Sequence, residues 1–175
     1  MQMKQPNALP WLALSAVVIV LDQLTKAWVL QDLGLRFEGQ SHPILDPFFN
    51  VTLVHNEGVS FGLFGDGSMR WLLSIFSVAV AGVLGWWALK AERRLLVTAI
   101  GLIMGGAIGN VIDRLRFGWV VDFLDFSGNV VAGVKVFPWV FNVADSAITI
   151  GVILLILDSI LSERAAKVGE AAEKS

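Results

Sequence analysis

Four stretches of this chain are long and apolar enough to cross a lipid bilayer, and nothing else in the sequence constrains its fold as strongly. They run Trp11–Leu30, Trp71–Leu89, Leu95–Ile112 and Trp139–Leu161. About 20 mostly apolar residues span the hydrocarbon core as a helix, which satisfies its own backbone hydrogen bonds where water is absent. Hydrophobic residues fill 55% of the 175 positions, above the roughly 45–50% apolar content of ordinary soluble domains. The second stretch is uncharged, the first and fourth carry polar insertions, and the third is rich in glycine, which lets membrane helices pack closely. The first stretch follows Lys4 as a signal peptide would. It is long, however, contains Asp22 and Lys26, and lacks a small-residue cleavage site, so it is read as retained. The expectation is a mainly α membrane protein, residues 1–175 forming one multi-pass domain of four transmembrane helices with a small extracytoplasmic β-sheet.

Cations orient this bundle. Lys4, the Lys90, Arg93 and Arg94 turn, and the Arg164, Lys167 and Lys174 tail are dense in positive charge for their length. Arg36, Arg70, Arg114, Arg116 and Lys135 are spread thinly over the two longer connections. Positive charge marks the cytoplasmic side, so both termini are expected inside and segments 31–70 and 113–138 outside. Phe48–His55 and Trp119–Phe126 are rich in β-branched and aromatic residues, and Ser127-Gly128-Asn129 supplies a turn before residues 130–137. That pattern predicts a hairpin in a sheet lying on the outer membrane surface.

Several chemistries are excluded or poorly supplied. There is no cysteine, and the two histidines, His42 and His55, match no zinc spacing. A net charge of −2 gives no general case for nucleic acid. No metal or cofactor is expected. The conspicuous residues are carboxylates at membrane depth, which are costly and mark working sites. At 1.5 Å per residue, Asp22 and Lys26 fall in the outer half of the first span. Asn110, Asp113 and Arg114 arrive at the outer end of the third. Asn142 and Asp145 open the fourth, and Asp122 lies on the connection between those two. Asp158 falls near the opposite interface. Plainer readings exist for most of these. Asp22 and Lys26, at i and i+4, can form a structural pair; Asp113 and Arg114 can be interfacial charges; Asn56-Glu57-Gly58 can be a turn; and Asn142 can be a helix cap. For Asp145, alone in an apolar run, the plain reading is weakest.

Taken in order, these residues form motifs that resemble the bacterial lipoprotein signal peptidases, also called signal peptidase II. Asp22-Gln23-Leu24-Thr25-Lys26 is similar to the family's D-x-x-x-K, and Asn56-Glu57-Gly58-Val59-Ser60-Phe61 to N-x-G-x-x-F, with Val59 where alanine is usual. Gly105 through Arg114 resembles G-G-A-x-G-N-x-x-D-R. Val120-Val121-Asp122-Phe123 and Phe141-Asn142-Val143-Ala144-Asp145-Ser146 resemble its two aspartate motifs. The resemblance implies an aspartic endopeptidase of the bacterial cytoplasmic membrane, active near the outer leaflet. Such an enzyme cuts diacylglyceryl-modified prolipoproteins on the N-terminal side of the lipidated cysteine. It implies Asp122 and Asp145 as the catalytic pair and Asp22, Lys26, Asn56, Gly58, Asn110, Asp113, Arg114 and Asn142 as supporting or substrate-contacting residues. The implied partners are the lipid-modified precursor, membrane lipid and a globomycin-type inhibitor, with the enzyme a monomer.

Two carboxylates held close cannot both ionise cheaply. One activates water while the other, protonated, hydrogen-bonds the scissile carbonyl; the residues alone do not say which. Asp22 and Lys26 are expected to act by positioning, the loss of Lys26 falling on stability or substrate binding more than on chemistry. Three rivals remain at this point: an ion-coupled carrier using Asp22, Lys26 and Asp145 as a relay; a serine–lysine hydrolase using Ser60 or Ser146 with Lys26; and a non-enzymatic assembly subunit.

Overall fold

The computed structural model describes residues 9–58, 68–131, 134–135 and 137–173. Four long helices carry the apolar stretches, each capable by length and composition of crossing a bilayer. Helix α1 (Leu9–Ala27) ends in one π-helical turn, Trp28–Asp32. It is followed by α2 (Ser68–Ala88), α3 (Arg94–Phe117) and α4 (Val143–Glu173).

Three boundaries depart from the apolar stretches by more than three residues, the largest departure being at the end of α4, which runs past Leu161 through the charged tail to Glu173. Helix α3 runs through Asp113 and Arg114 to Phe117, because charge alone does not end a helix. Gly118 ends it, adopting a left-handed φ of 90° and donating its N–H to the Arg114 carbonyl at 3.1 Å. At the start of α4, residues 140–141 are strand and the helix begins only at Val143, after Asn142.

Helix α3 is the central element and packs against the other three. Its small residues make that possible: a methyl at Gly106 would collide with the Ala144 carbonyl of α4. Side chains such as Leu21 and Leu24 on α1, Ile75 and Phe76 on α2, and Ile153 and Ile156 on α4 are exposed, as lipid-facing positions of a bundle must be. At one end Arg93, in the turn between α2 and α3, bridges Asp158 of α4 at 2.9 Å.

At the opposite end lies an antiparallel sheet of four strands. It contains β1 (Ser41–Leu45), β2 (Phe49–Asn56), β3 (Val120–Asp125) and β6 (Val140–Phe141), in the order β1-β2-β3-β6. Strands β4 (Val130–Val131) and β5 (Val134–Lys135) pair separately. The hairpin expected around Ser127-Gly128-Asn129 therefore does not pair β3 with β4 or β5. Strand β3 is buried on both faces, which suits a central strand, and it takes β2 and β6 as neighbours. The 127–129 turn instead docks on the β1–β2 connection, Asn129 Nδ2 donating to the Phe48 carbonyl at 2.8 Å. Val51, Leu53, Val121 and Phe123 pack with Val29 and Leu35, fastening the sheet to the end of α1.

Candidate active site

The start of α4 fixes one carboxylate. Asn142 Oδ1 accepts the Asp145 N–H at 2.8 Å, and Asp145 Oδ2 accepts the Asn142 N–H at 3.2 Å. This reciprocal arrangement is a capping box with aspartate at the third helical position, where the helix N-terminus favours a negative group. So Asn142 is indeed a cap, but that is only part of its work. Its Nδ2 reaches the Asp122 Oδ1 at 2.7 Å and Asn110 Oδ1 at 3.2 Å.

Asp122 comes from the sheet. It lies opposite Val54 on β2, 2% exposed, and its Oδ2 accepts from Asn56 Nδ2 at 2.8 Å. Burial, and then the nearby Asp145 charge, push its pKa up from 3.8 to about 7, against the hydrogen bonds from Asn56 and Asn142. Asn110 of α3 donates from Nδ2 to Asp145 Oδ1 at 2.8 Å. The two carboxylates are thus joined by two amides, Asn142 and Asn110, which supply donors without adding a further charge.

Beneath the pair lies a fully buried ionic cluster. Lys26 Nζ contacts Asp22 Oδ2 at 2.8 Å, Asp113 Oδ2 at 2.7 Å and Asn110 Oδ1 at 3.2 Å. The plain reading of Asp113 as an interfacial charge does not hold, since none of it is exposed. The Asp22–Lys26 pair does form, but with a second carboxylate attached. Gln23, which the residue-by-residue reading passed over, donates to Asp113 Oδ1 at 2.9 Å and accepts from Arg116. The signal was available: it is a polar residue beside Asp22 inside an apolar run. Half-buried Arg114 interacts electrostatically with Asp145, Asp122 and Asp113.

Asn56-Glu57-Gly58 is a turn, with the Gly58 N–H donated to Asn56 Oδ1 at 2.8 Å, and it also aims Asn56 at Asp122. Gly58 has φ 95°, and a methyl there would strike Leu73. An open cavity of about 660 Å³ is lined by Glu38, Asn56, Glu57, Asp122 and Trp139, among others. Asp122 therefore faces a space a peptide can enter. Ser146 donates its hydroxyl to the Asn142 carbonyl at 2.9 Å. Lys26, committed to three other acceptors, does not serve it as base. Val59, Ser60 and Phe61 lie outside the described residues. No three metal-ligating side chains group together among the described residues.

Comparison with known proteins identifies the family. The sequence profile of the Signal peptidase (SPase) II family matches residues 14–161. A lipoprotein signal peptidase of Caulobacter vibrioides is 54% identical over 153 residues, covering 86% of each chain. One of Paraburkholderia phymatum is 45% identical over 163 residues, covering 90% of this chain and 92% of its own. A bacterial membrane enzyme solved by the in meso method at 2.3 Å shares the fold with a TM-score of 0.74. It is 29% identical, over 95% of this chain and 96% of its own.

Proposed function

This chain belongs to the signal peptidase II family, and from that premise we propose that it is an aspartic endopeptidase acting on lipid-modified prolipoproteins. It releases the signal peptide by cutting on the N-terminal side of the diacylglyceryl-cysteine. The observation that carries the aspartic reading is the pairing of Asp122 and Asp145 across Asn142, beside an open cavity, with Asp122 pushed up to about 7.

That asymmetry suggests the roles. Asp122 holds the proton at rest and Asp145, on the helix N-terminus, is the ionised base. Asp145 takes a proton from the attacking water as Asp122 gives its own to the scissile carbonyl oxygen, forming a gem-diol. Asp145 then protonates the departing amide nitrogen while Asp122 recovers a proton from a diol hydroxyl. The C–N bond breaks and both carboxyls regain their starting states. Asn110, Asn142 and Asn56 hold the carboxyls; Asp22, Lys26 and Asp113 hold the scaffold; Gly58 lines the cavity, and Arg114 interacts electrostatically with both reacting carboxyls.

The protein is a multi-pass membrane protease. The family supports a location in the bacterial cytoplasmic membrane, and cation placement supports both termini inside and the sheet outside. The dyad then meets water at the outer leaflet while the precursor's acyl chains and signal helix stay in lipid. A globomycin-type peptide would compete for the same cavity, and one copy of the chain contains every residue invoked. The test is incubation of the purified enzyme with lipidated and unlipidated forms of one precursor. Mass spectrometry should find a new N-terminus at the cysteine of the lipidated form alone. Cleavage elsewhere, or equal cleavage of both forms, overturns the reading.

A further inference from the structure

Lys26 belongs to α1, yet everything it touches leads to the dyad. An ammonium has three N–H donors and no acceptor, and here the three buried acceptors are Asp22, Asp113 and Asn110. Asp22 uses its other oxygen, Oδ1, to accept the N–H of Ala144 at 3.0 Å, one residue before Asp145. Asp113 Oδ2 accepts the N–H of Val121 at 3.0 Å, one residue before Asp122. Asn110 turns its oxygen to the ammonium and so must present its Nδ2 to the Asp145 carboxylate, at 2.8 Å.

The geometry points to Lys26 as a positioning residue that sets the spacing of the two reacting carboxyls. One ammonium ties the backbone beside Asp122 to the backbone beside Asp145, through two buried carboxylates of which neither enters the chemistry. The inference rests on Asp122 and Asp145 being the reacting pair.

Charge neutralisation by itself does not explain the cluster. One carboxylate would neutralise Lys26, and a second, although it too pairs with the ammonium, adds its own desolvation cost and repels the first. The second carboxylate is accounted for by its grip on Val121. Without the ammonium, Asp22 and Asp113 repel, and their separation carries Ala144 and Val121 apart. Arginine cannot substitute, because its planar fork does not donate to three acceptors gathered around one nitrogen. The expectation drawn from the i,i+4 pair alone, that loss of Lys26 falls mainly on stability or binding, therefore changes. A displacement of about 1 Å between reacting groups costs about 100-fold in rate, whereas the cavity that holds the precursor is built from other residues.

The experiment measures kcat, KM and thermal stability of the full-length enzyme in lipid nanodiscs, on a lipidated precursor. One variant is Lys26→Arg, which keeps the charge. The other is the triple Asp22→Asn, Lys26→Met, Asp113→Asn, which removes every buried charge of the cluster but leaves amide oxygens for Ala144 and Val121. We expect both to fold, with kcat lowered about 100-fold and KM little changed. Recovery of kcat together with stability in the triple variant, or a loss confined to KM in either, overturns the inference. If Lys26→Arg does not fold, the triple variant alone decides. Asp122→Asn and Asp145→Asn are run alongside. Turnover by either removes the premise, whereas an active triple variant with both of those inactive removes only the role of Lys26.

Discussion

Gly109→Ala and Gly82→Ala should have opposite effects, although each adds one methyl to a membrane-spanning helix. At Gly82, on α2, nothing lies within 4 Å of the new carbon. The gain is the helix preference of alanine over glycine, about 0.5–1 kcal/mol. At Gly109, on α3, the methyl stands 2.6 Å from Asp22 Oδ2 and 3.5 Å from the Ala144 Cβ. Reaching an ordinary contact of 3.4 Å requires a shift of about 0.8 Å. The carboxylate is not free to retreat, being held by Lys26 at 2.8 Å, the Ala144 N–H at 3.0 Å and Gln23 at 3.2 Å. Overpacking costs about 1–3 kcal/mol, and loosening one of those bonds about 1 kcal/mol more. After the helix gain is subtracted, the net loss is about 2 kcal/mol. For a chain of this size that lowers the melting temperature by roughly 4–8 °C, while Gly82→Ala raises it slightly. Thermal unfolding of both variants in one detergent, followed by intrinsic tryptophan fluorescence, reads the difference. Equal melting temperatures would refute the idea that α3 needs glycine to let Asp22 reach α4.

The remaining expectations are shorter. Cleavage should decline as pH rises through about 7, because Asp122 then loses the proton it donates; a rate constant from pH 6 to 9 contradicts this assignment. The same raised pKa means the folded state binds that proton more tightly than the unfolded chain does. Stability from this group is full below 3.8 and lost as pH climbs through about 7, and Asp122→Asn should flatten the dependence in melting curves. Ser146→Ala should retain appreciable turnover, since its hydroxyl only caps the Asn142 carbonyl; a loss as deep as that of an aspartate variant would revive the serine–lysine reading. Reporter fusions at Lys90 and at the C-terminus should report cytoplasmic, and fusions near Gly39 and Asn129 external; an external C-terminus reverses the orientation.

What could be read from the residues, and what could not, divides along contact distance in the chain. Asp145 was legible because a carboxylate inside an apolar run is costly wherever it sits, and Asn142 three residues earlier announced a helix start. The Asp22–Lys26 pair was legible because i,i+4 spacing puts both on one face. Asp113 as the second partner of Lys26 was not, since no local pattern reports a contact between α1 and the end of α3. The pairing of β3 failed for the same reason. The turn at Ser127-Gly128-Asn129 offered a local hairpin, but burial on both faces drew β3 between β2 and β6. The end of α3 is not legible from hydropathy, which falls away after Ile112, while the helix runs on to Phe117 and ends where Gly118 turns left-handed.

The central claim is that Asp122 and Asp145 together perform the cleavage, and single-residue replacement tests it most directly. Asp122→Asn and Asp145→Asn are purified in membrane-inserted, folded form, and the release of signal peptide from a lipidated precursor is followed. An amide can keep much of the hydrogen-bond frame around Asn142 but can neither accept the proton of water nor donate one as an acid. Both variants should therefore show no turnover above background, even at enzyme in excess of substrate. Substantial signal-peptide release by either would contradict the dyad.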